Sequence, residues 1–159
     1  RRPYVRILGS GAGTDTIALA QREDITTIRA ATLACERALK MAGKKLSDVQ
    51  FAEVHDCFTI AELIILESIG LYAPGKAGPA VLSGETSLEG RFPVNTSGGL
   101  KSKGHPVGAT GVAQVVEVFK QLTGRAEKGR QIAGSPKVGM THNMGGSGAS
   151  SVVHIMEVA

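Results

Sequence analysis

The chain has 159 residues, 42% hydrophobic and 20% charged, as expected of one globular domain with its own core and not of a disordered chain or a membrane span. A net charge of +4 with no basic run and only 4% aromatic residues argues against nucleic-acid binding. Two cysteines are too few for a disulfide framework, so a reducing compartment is expected and the cytoplasm is the assigned location. No stretch approaches a membrane span, and neither a signal peptide nor a peroxisomal tripeptide is read. Because Arg1 stands where a methionine would begin a gene product, the chain is expected to start inside a longer one.

In chain order, Val5-Arg6-Ile7-Leu8 reads as a short strand running into a glycine-rich turn over residues 9–13. That turn is no dinucleotide fingerprint, because Thr14 stands where the motif needs glycine and no helical period follows. Asp24 is predicted to cap a helix running to about Ala42, with Ile28, Ala31, Cys35, Ala38, Leu39 and Ala42 as its apolar stripe and Gly43 as its stop. Cys35, on that stripe, reads as a buried structural thiol. Phe51-Ala52-Glu53-Val54 is predicted to be a strand feeding into a second helix from about Thr59 to Ile69, apolar almost all round and therefore buried. Residues 72–92, rich in Pro, Gly and Ser, suggest a long surface excursion. A third helix follows Gly111, with Val112, Val115, Val116, Phe119 and Leu122 on one face and Gly124 as its stop. Val138 to His142 reads as a strand, residues 143–148 as a tight turn, and Ser150 to Val158 as a last strand. Strands alternating with helices give an α/β layered domain, with no internal repeat and no domain boundary.

Three segments carry chemistry. His55-Asp56-Cys57-Phe58 lies at a strand-to-helix junction, where the positive end of the helix lowers a thiol's pKa. His55 and Cys57, two apart, share a face if the strand geometry persists, although a small residue at a helix start beside a surface histidine would read the same way. In Lys103-Gly104-His105-Pro106, proline forces His105 out of the α region, and the small residues of Gly108-Ala109-Thr110-Gly111 let a ligand or a backbone approach closely. Such an imidazole suits a general base; a plain loop histidine is the alternative. The run Met140 to Gly148 could present N–H groups as an oxyanion hole or simply turn a hairpin corner, while His142 and His154 read as structural. Histidine and cysteine spacing fits no zinc pattern, no metal ligand is assigned, and no G-x-S-x-G elbow is present. The helix starts suit chemistry at a thioester carbonyl, yet no segment supplies a nucleophile, so the chain looks like half of an active site.

Taken in this order, the segments resemble the C-terminal half of a thiolase over essentially all 159 residues. The run from Asn95-Thr96-Ser97-Gly98-Gly99 through Gly104-His105-Pro106 to Gly111 matches that family's glycine–histidine–proline region. His55-Asp56-Cys57-Phe58 stands where ordinary thiolases carry Asn-Glu-Ala-Phe, and this variant resembles the sterol carrier protein x-type thiolases. Ordinary thiolases also end with a Cys-x-Gly whose cysteine is the acid/base. Asn143-Met144-Gly145 stands at those positions, so that cysteine is missing; the resemblance to the sterol carrier type, where the cysteine of His-Asp-Cys-Phe takes over, implies the role for Cys57.

The resemblance implies an α/β, thiolase-like fold: one βαβαβ layered half, a mixed sheet with buried and covering helices, spanning residues 1–159 as a thiolase C-terminal domain. It implies acyl transfer with coenzyme A thioesters as substrates and no cofactor. A nucleophilic cysteine on an N-terminal half outside this chain would be activated by His105. Cys57 would move the α-proton of acetyl-CoA. His55 and the Gly145 N–H would serve two oxyanion holes, and Asn95, Phe58, Asn143 and Met144 would shape the substrate pocket. The implied partners are acyl-CoA or CoA, the N-terminal half, a second copy in a homodimer or larger assembly, and in some relatives a small OB-fold acyl-CoA-binding protein. This chain alone is expected not to turn over. The alternatives are a thiolase-like aldolase acting on CoA-linked side chains and a non-catalytic acyl-CoA-binding subunit of the same fold; the presence of His55, Cys57 and His105 argues against the aldolase.

Overall fold

The computed structural model describes residues 4–159; Arg1, the residue that suggests a longer gene product, lies outside them. Four strands form one mixed sheet: β1 (Val5–Thr14), β2 (Phe51–Glu53), β3 (Val138–Gly145) and β4 (Ser150–Val158), in the order β1-β4-β3-β2. β4 runs antiparallel to both neighbours, β2 is parallel to β3, and Val94 adds a parallel bridge to Ala52 at the β2 edge. The helices are α1 (Arg29–Ala42), α2 (Thr59–Ser68), α3 (Ala77–Leu82), α4 (Gly99–Lys103) and α5 (Thr110–Leu122). This is the expected α/β arrangement of a mixed sheet with helices on its faces.

The glycine-rich run is strand, not turn. Gly9, Gly11 and Gly13 face α1 with period two, and a Cβ on them would lie 2.1, 2.1 and 2.2 Å from the carbonyl oxygens of Ala38, Ala34 and Ala30. Every second residue of the strand thus meets every fourth residue of the helix, and backbone packs on backbone. The residues are glycine to remove Cβ, not to turn the chain. α1 starts at Arg29, later than expected, because the Asp24 carboxylate bonds to Thr26 N–H and to the Thr26 and Thr27 hydroxyls instead of capping a helix. Gly43 closes α1 in the left-handed region, as expected. Cys35 is buried in the core between α1 and the sheet, and burial pushes its thiol up to about 12. The excursion over residues 72–92 includes the short helix α3.

Two helices depart from their sequence patterns. α2 buries Ala61, Ile65 and Leu66 but leaves Ile60 exposed. α5 is rotated from its expected face: Leu122 is buried and Val115 and Phe119 pack against the core as expected, but Val112 and Val116 are 65% and 45% exposed, and Gln114, Glu117, Val118 and Gln121 are buried. The buried polar stripe is satisfied from within. Gln121 Nε2 donates to the Arg130 carbonyl and Thr96 Oγ1 while its Oε1 accepts the Ile132 N–H, and Gln114 Nε2 donates to the His142 carbonyl. The second core cluster, Phe51, Val118, Leu122, Ile132 and Met156, completes the contact of α5 with the sheet. No helix among the described residues is long and apolar enough to cross a membrane.

Candidate active site

The site forms where the parallel neighbours β2 and β3 end on one side of the sheet and the loop between α4 and α5 meets them. β2 ends at Glu53, and His55-Asp56-Cys57-Phe58 carries the chain into α2, whose first helical residue is Thr59. The loop from α4 to α5 carries His105. The end of β3 brings Asn143, Met144 and Gly145, and a 3-10 turn, Gly146–Gly148, follows. The three segments border an open cavity of about 640 Å³ with His55, Cys57, Phe58, His105, Asn143, Met144 and Gly145 in its lining. The two imidazoles meet edge to face, with centroids 4.8 Å apart and planes at 88°.

Two buried carboxylates hold the His105 loop to β2. Asp56 Oδ1 accepts the Leu100 N–H at 2.7 Å, and Gly99 lies so close that a Cβ there would come within 2.1 Å of Asp56 Oδ2. Glu53, 1% exposed, accepts the Ser97 N–H and the Ser97 hydroxyl and pairs with Lys103 at 3.5 Å. His105 itself is exposed, and its Nδ1 lies 2.6 Å from the hydroxyl of Thr110, the buried first residue of α5. The motif that bears His55 and Cys57 is therefore bonded directly to the helix that precedes His105.

His55 is buried, and its Nδ1 lies 3.2 Å from Asn143 Nδ2. Burial, and then the neighbouring His105, lower its pKa, so the ring is neutral at neutral pH. Cys57 is half-buried and stands two residues ahead of α2. Its thiol is raised, not lowered as the helix-end argument expects: burial outweighs the backbone N–H groups of Phe58 and Cys57. Phe58, 69% exposed, sits on the cavity rim. Asn95 does not reach the cavity lining. With φ of 53°, it turns its side chain inward, accepting the Val54 N–H and donating to Glu62, so it braces the end of β2.

One wall of the cavity comes from a segment that carries no motif. Leu19, Ile25 and Ile28, between β1 and α1, line it together with Ile60, Ala61 and Ile64 of α2. Arg22 fastens that segment to the glycine turn by donating to the carbonyls of Thr16 and Ser147. Gln114 and Thr110 bond to site residues from outside the cavity, to Asn143 and His105 respectively, without a local signature; the polar i, i+3, i+7 spacing of Gln114, Glu117 and Gln121 is the one clue the sequence offers. Among the described residues, no group of three His, Cys, Asp or Glu side chains is placed to hold a metal ion.

Residues 11–158 match a family described as thiolase C-terminal domain-like. The chain is 47% identical over 151 residues to an acetyl-CoA acetyltransferase of Methanothermobacter thermautotrophicus, covering 95% of this chain and 39% of that protein. It is 44% identical to an acetyl-CoA acetyltransferase of Methanocaldococcus jannaschii, over 96% of this chain and 40% of that one. A sterol carrier protein 2 of Oryctolagus cuniculus is 45% identical over 75% of this chain and 21% of its own length. Among solved structures, an Ltp2-ChsH2(DUF35) aldolase superposes with a TM-score of 0.85 over 99% of this chain and 40% of that chain, at 24% identity, which establishes a common fold. The chain thus spans about two fifths, or less, of the length of these relatives.

Proposed function

The chain belongs to the thiolase C-terminal domain-like family, and we propose that it is the C-terminal catalytic half of a thiolase that makes or cleaves 3-ketoacyl-CoA. The observation that carries this reading is the convergence of His55, Cys57 and His105 on one cavity beside Gly145. The nucleophilic cysteine belongs to an N-terminal half outside this chain. In thiolysis, that cysteine passes its proton to His105 and its sulfur attacks the 3-keto carbon, forming a C–S bond. The C2–C3 bond then breaks, and its electron pair leaves as the enolate of acetyl-CoA, which takes the Cys57 proton. A CoA thiol then gives its proton to the Cys57 thiolate and attacks the acyl-cysteine thioester, and the departing cysteine sulfur takes back the proton held by His105. His55 holds the enolate oxygen, and the Gly145 N–H holds the oxyanion of the tetrahedral adduct. Synthesis runs the same transfers backwards. A Cys57 thiol held above its ordinary range rests protonated, ready to give a proton to an enolate, and its thiolate is a correspondingly strong base for a weakly acidic α C–H.

Exposed apolar side chains support docking of an N-terminal half. α5 exposes Val112 and Val116, and beside it Val152 of β4 is also exposed, an apolar strip of the kind that marks an interface. A homodimer or larger assembly, a cytoplasmic location and an OB-fold acyl-CoA-binding partner belong to the same proposal, and this chain without its N-terminal half is expected to be inactive. The aldolase reading is less well supported, because Cys57 and His105 have a task in acyl transfer that cleavage without a cysteine thioester does not need. The test is the intact mass of the complete protein after mixing with acetyl-CoA. Wild type and Cys57→Ala should both gain an acetyl group, and His105→Asn should gain it at least a hundredfold more slowly. Acetylation of His105→Asn at the wild-type rate would sink the reading.

A further inference from the structure

His55 is neutral, so one of its nitrogens carries a proton and the other a lone pair, and which is which decides its chemistry. The answer can be followed from a backbone group. The His142 carbonyl only accepts, and it takes its hydrogen from Gln114 Nε2 at 2.9 Å. That contact fixes the Gln114 amide, so its Oε1 must be the atom facing Asn143, where it accepts from Nδ2 at 3.0 Å. Turning the Asn143 amide over would set two carbonyl oxygens against each other. Its Nδ2 therefore presents its second hydrogen to His55 Nδ1, at 3.2 Å. Nδ1 must then hold the lone pair. Both the Nδ1–H tautomer and the imidazolium would place an N–H against an N–H.

We propose that Gln114 is a positioning residue which, through Asn143, holds His55 in the tautomer with its proton on Nε2. The proposal deepens the reading above, on which it rests: His55 meets the substrate as an N–H donor, suited to an oxyanion, and not as a base. Gln114 is fully buried and has no contact with the cavity, so its only route to the chemistry is this relay. The same relay explains why a polar face of α5 is turned inward at this point. It also divides labour between two adjacent imidazoles, one kept as a donor and the other left free to accept a proton.

The experiment is long-range 1H–15N correlation on the complete protein labelled with 15N-histidine, the His55 signals being assigned by their loss in His55→Asn. In wild type above the pH of its titration, His55 should show a protonated Nε2 and an unprotonated Nδ1. Gln114→Leu frees the Asn143 amide to turn, and Asn143→Asp puts an acceptor where a donor stood. Each should move His55 toward the Nδ1–H form or the imidazolium and lower kcat on the order of a hundredfold, with KM changed less than about threefold. Wild-type His55 with its proton on Nδ1, or a tautomer unmoved in both variants, would overturn the proposal, and the wild-type spectrum decides even if neither variant folds. A moved tautomer with kcat intact would leave the relay standing and remove His55 from the oxyanion role instead.

Discussion

Gly99→Ala tests the link between the two histidine segments, and its cost can be worked from two separate contributions. Gly99 has φ of 63°, where a Cβ costs about 1–2 kcal/mol. A Cβ there would also stand 2.1 Å from Oδ2 and 2.7 Å from Cγ of Asp56, whose carboxylate is buried and accepts the Leu100 N–H. Relief requires the carboxylate to move and that bond to weaken, and a hydrogen bond to a charged group contributes about 1.5–3 kcal/mol. Gly43→Ala separates the two. Gly43 has the same φ of 63°, but a Cβ there would meet nothing within 4 Å, so that variant should lose about 1–2 kcal/mol from backbone strain alone. Urea unfolding of the chain followed by circular dichroism should place Gly99→Ala roughly 2 kcal/mol below Gly43→Ala. Equal losses in the two variants would refute the claim that Asp56 anchors the segment leading to His105.

Gly11→Ala drives a Cβ to 2.1 Å from the Ala34 carbonyl and should cost about 3 kcal/mol or more, whereas Gly78→Ala, in an open helical position, should be neutral or slightly stabilising in the same urea titration. His142 is buried with neither ring nitrogen bonded, and burial lowers its pKa from 6.5 to about 3. Between those values the unfolded chain binds a proton that the folded chain does not, so stability falls as pH drops through that window. His142→Leu should remove about 1.4 kcal/mol per pH unit from that slope, measured as unfolding free energy between pH 6 and about 4. Iodoacetamide at about pH 8 should modify Cys57 well before Cys35, by peptide mass spectrometry, with the Cys57 rate still rising above pH 9, its ordinary value, because its thiol is raised.

The site is more legible in the sequence than the packing around it. His55, Cys57 and His105 stand in short runs whose neighbours, Pro106 and the glycines above all, constrain the backbone locally, and the cavity they line follows from adjacent sheet ends. Gly9, Gly11 and Gly13 mislead because a glycine that makes room for a helix looks, in one dimension, like a glycine that makes a turn; only Ala30, Ala34 and Ala38 on α1 distinguish them. Asn95 sits within the recognisable glycine-rich region, yet its amide is used by Val54 and Glu62. On α5 the sequence pattern places Val115, Phe119 and Leu122 on the core side but misplaces Val112 and Val116, which look like core until Gln114 and Gln121 are seen to have buried partners. The Cys57 thiol moves opposite to the helix-end expectation because half-burial is a tertiary property that local sequence does not carry.

The central claim is that Cys57 carries the α-proton of acetyl-CoA while the acyl group rests on another residue. It is tested most directly by hydrogen exchange into acetyl-CoA in deuterium oxide, catalysed by the complete protein and followed by mass spectrometry. Wild type should incorporate deuterium at the α-carbon, and Cys57→Ala should still become acetylated but exchange at least a hundredfold more slowly. Exchange at the wild-type rate in Cys57→Ala would contradict the account and assign the proton transfer to another group.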